Sequence, residues 1–176
     1  MAVTPPPAVR ERLHAHAASL GNPNLRVLPA ENLHVTVLFL GNVARERIEE
    51  LAGRLADVAA AAEPFSLEIA GAGPGPPRRP SMLWAYVEGA DPLLCLSRDM
   101  SAAAAGLAPH AADPQRVAHI TLARSRGTLR GVARATIELD RPSFQVIAVE
   151  LMRSQLSPRG ARYETVTTLP LGVTTA

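Results

Sequence analysis

Two hydrophobic periods run through the chain. Residues Leu33 to Leu40 alternate, with Leu33, Val35, Val37 and Phe39 as the apolar set and His34 and Thr36 between them, which predicts a strand whose aliphatic side meets the core. Val117 to Ala123 repeats this, with His119 and Thr121 on one face. Phe65 to Ile69, Met82 to Val87, Phe144 to Met152 and Tyr163 to Leu169 read as further strands, the last two joined across Ser157-Pro158-Arg159-Gly160. Leu25 to Leu28 and the stub Met1 to Val3 are short ones. The helical period appears over Ala44 to Ala62, with Ile48, Leu51, Leu55 and Val58 on one stripe. A helix over Ala8 to Leu20 follows three prolines and is broken by Gly21-Asn22-Pro23-Asn24. Asp91-Pro92 reads as an N-cap and first helical position, opening a helix to Leu107 with Leu93, Leu96, Met100 and Leu107 inward. Val132 to Leu139 is a candidate short helix. Residues 71–80 are too rich in Gly and Pro for a regular element and predict an exposed loop, a reading favoured over a substrate flap despite Arg78 and Arg79.

Strand, helix and strand surround each His-x-Thr, so the chain reads as two halves of similar layout within one domain, residues 1–176. The class is α+β.

Composition adds limits. A hydrophobic content of 47% is ample for a core, and Cys95, the single cysteine, can form neither an intramolecular disulfide nor a cysteine-based zinc site. No secretory or membrane-spanning stretch is visible, and a cytoplasmic protein is expected. Net charge is +2, and all 18 basic residues are arginine. So weak a charge argues against gripping long duplex DNA, while guanidinium forks suit phosphate oxygens.

The chemistry lies in the repeated His, apolar, Thr, apolar pattern: His34-Val35-Thr36-Val37 and, 119 − 34 = 85 positions later, His119-Ile120-Thr121-Leu122. One such strand would be an ordinary polar pair. Two that face one cleft bring together two imidazoles and two hydroxyls. An imidazole titrates near neutrality, so one ring can take a proton while the other gives one. That is the equipment for in-line displacement at phosphorus, with Thr36 and Thr121 donating to the nonbridging oxygens. No His-Glu-x-x-His, cysteine pair or tight carboxylate cluster accompanies the motifs, and neither a metal nor another cofactor is expected. His14 and His16 do not share a helical face and read, like His110, as surface histidines.

These residues resemble the two-histidine (2H) phosphoesterase superfamily and, within it, RNA 2',3'-cyclic phosphodiesterases of the LigT/ThpR type. The resemblance rests on Pro29 to Gly41, on His119-Ile120-Thr121-Leu122-Ala123-Arg124 and on Ser154 to Tyr163. It implies a bilobal fold of two antiparallel sheets flanked by helices around a central active-site groove. It also implies metal-independent opening of an RNA-terminal 2',3'-cyclic phosphate to a 2'-phosphate. His34 would be the proton donor to the ribose 3'-oxygen and His119 the proton acceptor that activates water. Thr36, Thr121 and Arg124 would bind phosphate. Expected partners are RNA 3' ends or small nucleotides carrying a cyclic phosphate, with no membrane and no stable protein partner, and a monomer is expected.

Two departures stand out. Only Met1-Ala2-Val3 precedes the first helix where relatives have a fuller strand, and Val27 stands where a tryptophan is common, which predicts a groove short of base-stacking aromatics. Trp84 and Tyr86 lie too far along the sequence to count as replacements. Other readings are the same chemistry on another cyclic phosphate, 2'-5' RNA ligation, or a noncatalytic nucleotide- or 2'-phosphate-binding module.

Overall fold

A computed structural model describes residues 1–127, 129, 141–157 and 160–173. In chain order the elements are β1 (Ala2–Val3), α1 (Pro7–Ser19), β2 (Leu25–Val27), β3 (Val35–Thr36), α2 (Ile48–Ala61), β4 (Phe65–Gly75), β5 (Met82–Glu88), α3 (Asp91–Ala103), β6 (His119–Ser125), β7 (Ser143–Val146), β8 (Ala148–Ser157) and β9 (Gly160–Pro170). All strand pairs are antiparallel, in the order β7-β4-β5-β6-β3-β1-β8-β9, with β2 also on β6. The expected two antiparallel sheets are thus the two halves of one nine-stranded sheet, β7-β4-β5-β6 with β2 and β3-β1-β8-β9, joined where Val35 of β3 pairs with Ile120 of β6. The predicted helix at Val132 to Leu139 and the turn at Pro158-Arg159 lie outside the described residues.

Each helix buries one stripe: Val9, Leu13 and Ala17 on α1, Leu51, Leu55 and Ala59 on α2, and Leu93, Leu96 and Met100 on α3. Each fully covered leucine contributes about 1.5–3 kcal/mol. Ile48 and Val58 are only partly buried, and Leu107 lies beyond the end of α3. Asp91 is the first residue of α3 rather than its cap and makes no capping hydrogen bond. None of the described helices is long and apolar enough to cross a membrane.

Three strand expectations change as well. Regular pairing in the first motif covers only Val35–Thr36, and the alternation fails after Val37: Leu38 is fully buried and Phe39 is 61% exposed. Phe39 instead lies against the exposed His110 ring. Second, β4 runs to Gly75, through the Gly/Pro-rich stretch, because Gly71 to Gly75 pair continuously with Tyr86 to Met82 of β5. Proline is tolerated there at Pro74, and the loop with Arg78 and Arg79 shrinks to residues 76–81. Third, Phe144 to Met152 is two strands, broken at Ile147, which is 66% exposed.

Ser97 is the one buried polar residue among those described, and both its hydrogen-bonding roles are used. Its hydroxyl donates to the Val37 carbonyl at 2.6 Å and accepts from the Gln115 amide at 2.9 Å, tying α3 to the segments that carry both histidines. Ser97→Ala strands the buried Val37 carbonyl and the part-buried Gln115 amide, and a loss of about 1–3 kcal/mol is expected in urea unfolding.

Candidate active site

Strand β6 organises the site, with β5 on one edge and β3 and β2 end to end along the other. The pairing of Val35 with Ile120 sets the geometry. Both are fully buried on the core side, so His34, Thr36, His119 and Thr121 share the opposite face, where all four are half-buried. Continued by one residue each way, the antiparallel register sets His34 opposite Thr121 and Thr36 opposite His119. Directly opposed residues have Cβ atoms about 4.5–5.5 Å apart, so this register sets the four side chains side by side on one face. The structure therefore brings together all four residues of the two motifs.

Both rings are held in the same way. His34 Nδ1 lies 2.9 Å from the Asn32 carbonyl, and His119 Nδ1 lies 2.9 Å from the Val117 carbonyl, each two residues back. A carbonyl only accepts, so when neutral each ring carries its proton on Nδ1 and leaves Nε2 for the groove. Burial lowers both imidazole pKa values below the usual 6.5, and for His34 the nearby His119 adds to the lowering while Glu150 opposes it.

Aromatic rings back both imidazoles. Tyr163 meets His34 edge-on with centroids 4.7 Å apart, and Trp84 stacks on His119 at 3.8 Å and 20°. The expected shortage of groove aromatics is thus corrected. Trp84 arrives from β5, far along the sequence, because Thr121 is its cross-strand partner. The aliphatic Val27 changes nothing in the groove, since it pairs with Ala123, on the face opposite the adjacent Arg26–Arg124 pair.

Gly75 makes the Trp84 stack possible. A Cβ there would lie 2.1 Å from the indole Cδ2, so the ring rests directly on the backbone of β4. Gly75→Ala must displace the indole from His119. Trp84 is the chain's single tryptophan, so red-shifted emission reports the displacement, and a loss of about two- to tenfold in kcat/KM is expected from a stacking contact of about 0.5–1.5 kcal/mol. Unchanged emission would show that the ring has another way to sit.

Arg124 reaches the site by a route that alternation would not predict. From Thr121, strict period two sends it to the core. One step on β5, from Trp84 to Leu83, spans two on β6, from Thr121 to Ala123, so Leu122 is the extra residue of a β-bulge. Leu122 and Ala123 are both buried as a result, and Arg124 emerges exposed on the histidine face, opposite Arg26. A groove of about 600 Å³ opens beside it, lined by Arg26, Asn32, Arg124, Arg162 and Tyr163 among others, and reaches the histidines through Tyr163 and Asn32.

His14 and His16 stay apart on α1. His14 bonds the Leu28 carbonyl at 2.8 Å, and both are half-buried rather than fully solvated. Among the described residues no group of three or more His, Cys, Asp or Glu could hold a metal ion.

Comparison with known proteins fits this geometry. Residues 3–84 match the family described as LigT like Phosphoesterase. A protein named RNA 2',3'-cyclic phosphodiesterase from Methanothermobacter thermautotrophicus is 30% identical over 147 residues, covering 79% of this chain and 78% of that one. This chain belongs to the LigT-like phosphoesterase family. It is an enzyme by that membership. Among solved structures, TT0787 of Thermus thermophilus superposes with a TM-score of 0.83 at 26% identity, covering 97% of this chain and 96% of that one. The Escherichia coli LigT complex with 3'-AMP shares the fold, with a TM-score of 0.80 at 24% identity over 97% and 95% of the two chains.

Proposed function

We propose that this phosphoesterase hydrolyses the 2',3'-cyclic phosphate of an RNA 3' end or small nucleotide to a 2'-phosphate, without a metal, in one domain whose two lobes supply one His-x-Thr each. The carrying observation is the pairing of Val35 with Ile120, both buried on the core side, which supports a shared face for His34, Thr36, His119 and Thr121. The name of the Methanothermobacter relative supports the substrate class.

His119 Nε2 takes a proton from water as its oxygen attacks phosphorus. The bond from phosphorus to the 3'-oxygen breaks on the opposite side, and His34 gives that oxygen its proton. One water is consumed, and the two rings recover their starting protonation by exchange with solvent. Charge that builds on the nonbridging oxygens is met by the Thr36 and Thr121 hydroxyls and by Arg124.

The depressed imidazole pKa values fix the sign of the pH dependence. The free enzyme must hold one ring protonated and one neutral, and that state peaks between two apparent pKa values that both lie below 6.5. The kcat/KM profile is therefore expected to be a bell centred on the acid side of 6.5. A maximum above about pH 7.5 would contradict the assignment of both histidines.

The deciding experiment incubates the protein in EDTA with a short RNA ending in a 2',3'-cyclic phosphate. A 2'-phosphate product supports the reaction and its leaving oxygen together. A 3'-phosphate product rejects the proposed leaving group, and binding without turnover points to the noncatalytic module.

A further inference from the structure

Arg26 and Arg124 are direct cross-strand partners on β2 and β6, and both are exposed on the groove side. Like charges so opposed are destabilising unless something of opposite sign lies between them. Arg162 lines the same groove from β9, and Glu31 is the single carboxylate among the described residues of that lining. Among the described residues none of the three guanidinium groups is in a salt bridge. Gly160, at φ +123°, keeps space for Arg26, because a Cβ at that position would lie 2.6 Å from Arg26 Nη2. The groove is therefore a cleft of about 600 Å³ in which, among the described residues, three arginine side chains outnumber one carboxylate and none of the three is in a salt bridge.

The reaction proposed above uses one phosphate, between the two histidines. Arg124 is three residues from Thr121, roughly 10 Å along a strand, and Arg26 lies level with it on the neighbouring strand. Tyr163, edge-on to His34, stands where the two spaces meet. A cyclic mononucleotide would leave the far end of the groove empty.

Resting on that reading, we propose that Arg26 and Arg162 form a second phosphate subsite, which binds the internucleotide phosphate next to the cyclic end. The substrate class is then an oligonucleotide rather than a cyclic mononucleotide. Arg124 lies between the two phosphates, and two planar forks clamp the second one. The subsite acts in binding rather than in the chemical step.

The test compares two dinucleotides that end in the same 2',3'-cyclic phosphate, one with an ordinary linkage and one with a neutral methylphosphonate linkage. Each is assayed with the wild type and with an Arg26→Gln, Arg162→Gln double variant. In the wild type, removing the charge is expected to raise KM about tenfold and to leave kcat within about twofold. In the double variant the two substrates should differ by less than about twofold, since the charge has lost its partners. Equal KM values in the wild type overturn the subsite, and so does a double variant that keeps the full wild-type difference. Should the double variant misfold by circular dichroism, Arg162→Gln alone is expected to reduce the difference by about threefold or more, and an undiminished difference there overturns the subsite. Absence of wild-type turnover on both dinucleotides and on a 2',3'-cyclic mononucleotide is a failure of the hydrolase reading instead. The subsite is then decided by calorimetric titration of the same two dinucleotides, where equal affinities overturn it.

Discussion

His34→Ala and His119→Ala are each expected to remove turnover of a 2',3'-cyclic phosphate, by about 10²–10⁴-fold or more, with the fold intact. Neither side chain carries the core. Both are half-buried on the groove face, while the neighbouring Val35 and Ile120 supply the fully buried contacts. Far-UV circular dichroism and the melting temperature should therefore change little. Initial rates on a cyclic-ended RNA are the measurement, and substantial activity in either variant would sink the two-histidine mechanism. The two rings share one reaction coordinate, so the double variant should be little worse than either single one.

Thr36→Ala and Thr121→Ala are each expected to slow hydrolysis by about tenfold to a thousandfold, as the loss of one donor to a developing oxyanion does. The loss should fall mainly on kcat, because charge on the nonbridging oxygens grows between ground state and transition state. Serine at either position keeps the hydroxyl and should restore most of the rate. A rise in KM at constant kcat would mean that the threonines hold the ground-state phosphate only.

The pairs His34 with Thr36 and His119 with Thr121 were legible in the sequence because period two is a local property of extended backbone, needing no knowledge of which strands meet. The same local rule failed wherever neighbouring strands intervened. Strict alternation sends Arg124 to the core, yet the bulge at Leu122 turns it to the groove, and a bulge exists only relative to a partner strand. Residues 71–75 looked irregular because Gly and Pro weaken a strand, but pairing with β5 overrides that preference.

Trp84 illustrates the same limit from another direction. Its hydrophobic setting marks it as a strand residue, whereas its stack on His119 depends on the pairing of β5 with β6 and on the bare backbone of Gly75 across the way. The fixed imidazole orientation was equally hidden, since the carbonyls of Asn32 and Val117 carry no side-chain signature.

By itself the sequence determined the α+β class, the helical stripes and the two motifs, because these follow from side-chain periodicity and residue chemistry within a few positions. Tertiary structure alone decided that Val35 meets Ile120, so that the two motifs share one face, and that Arg26, Arg124 and Arg162 share one groove. Register is a relation between strands remote in the chain. A slip of one residue would turn the same side chains to the opposite face, and burial of the aliphatic set on the core side is what fixes it.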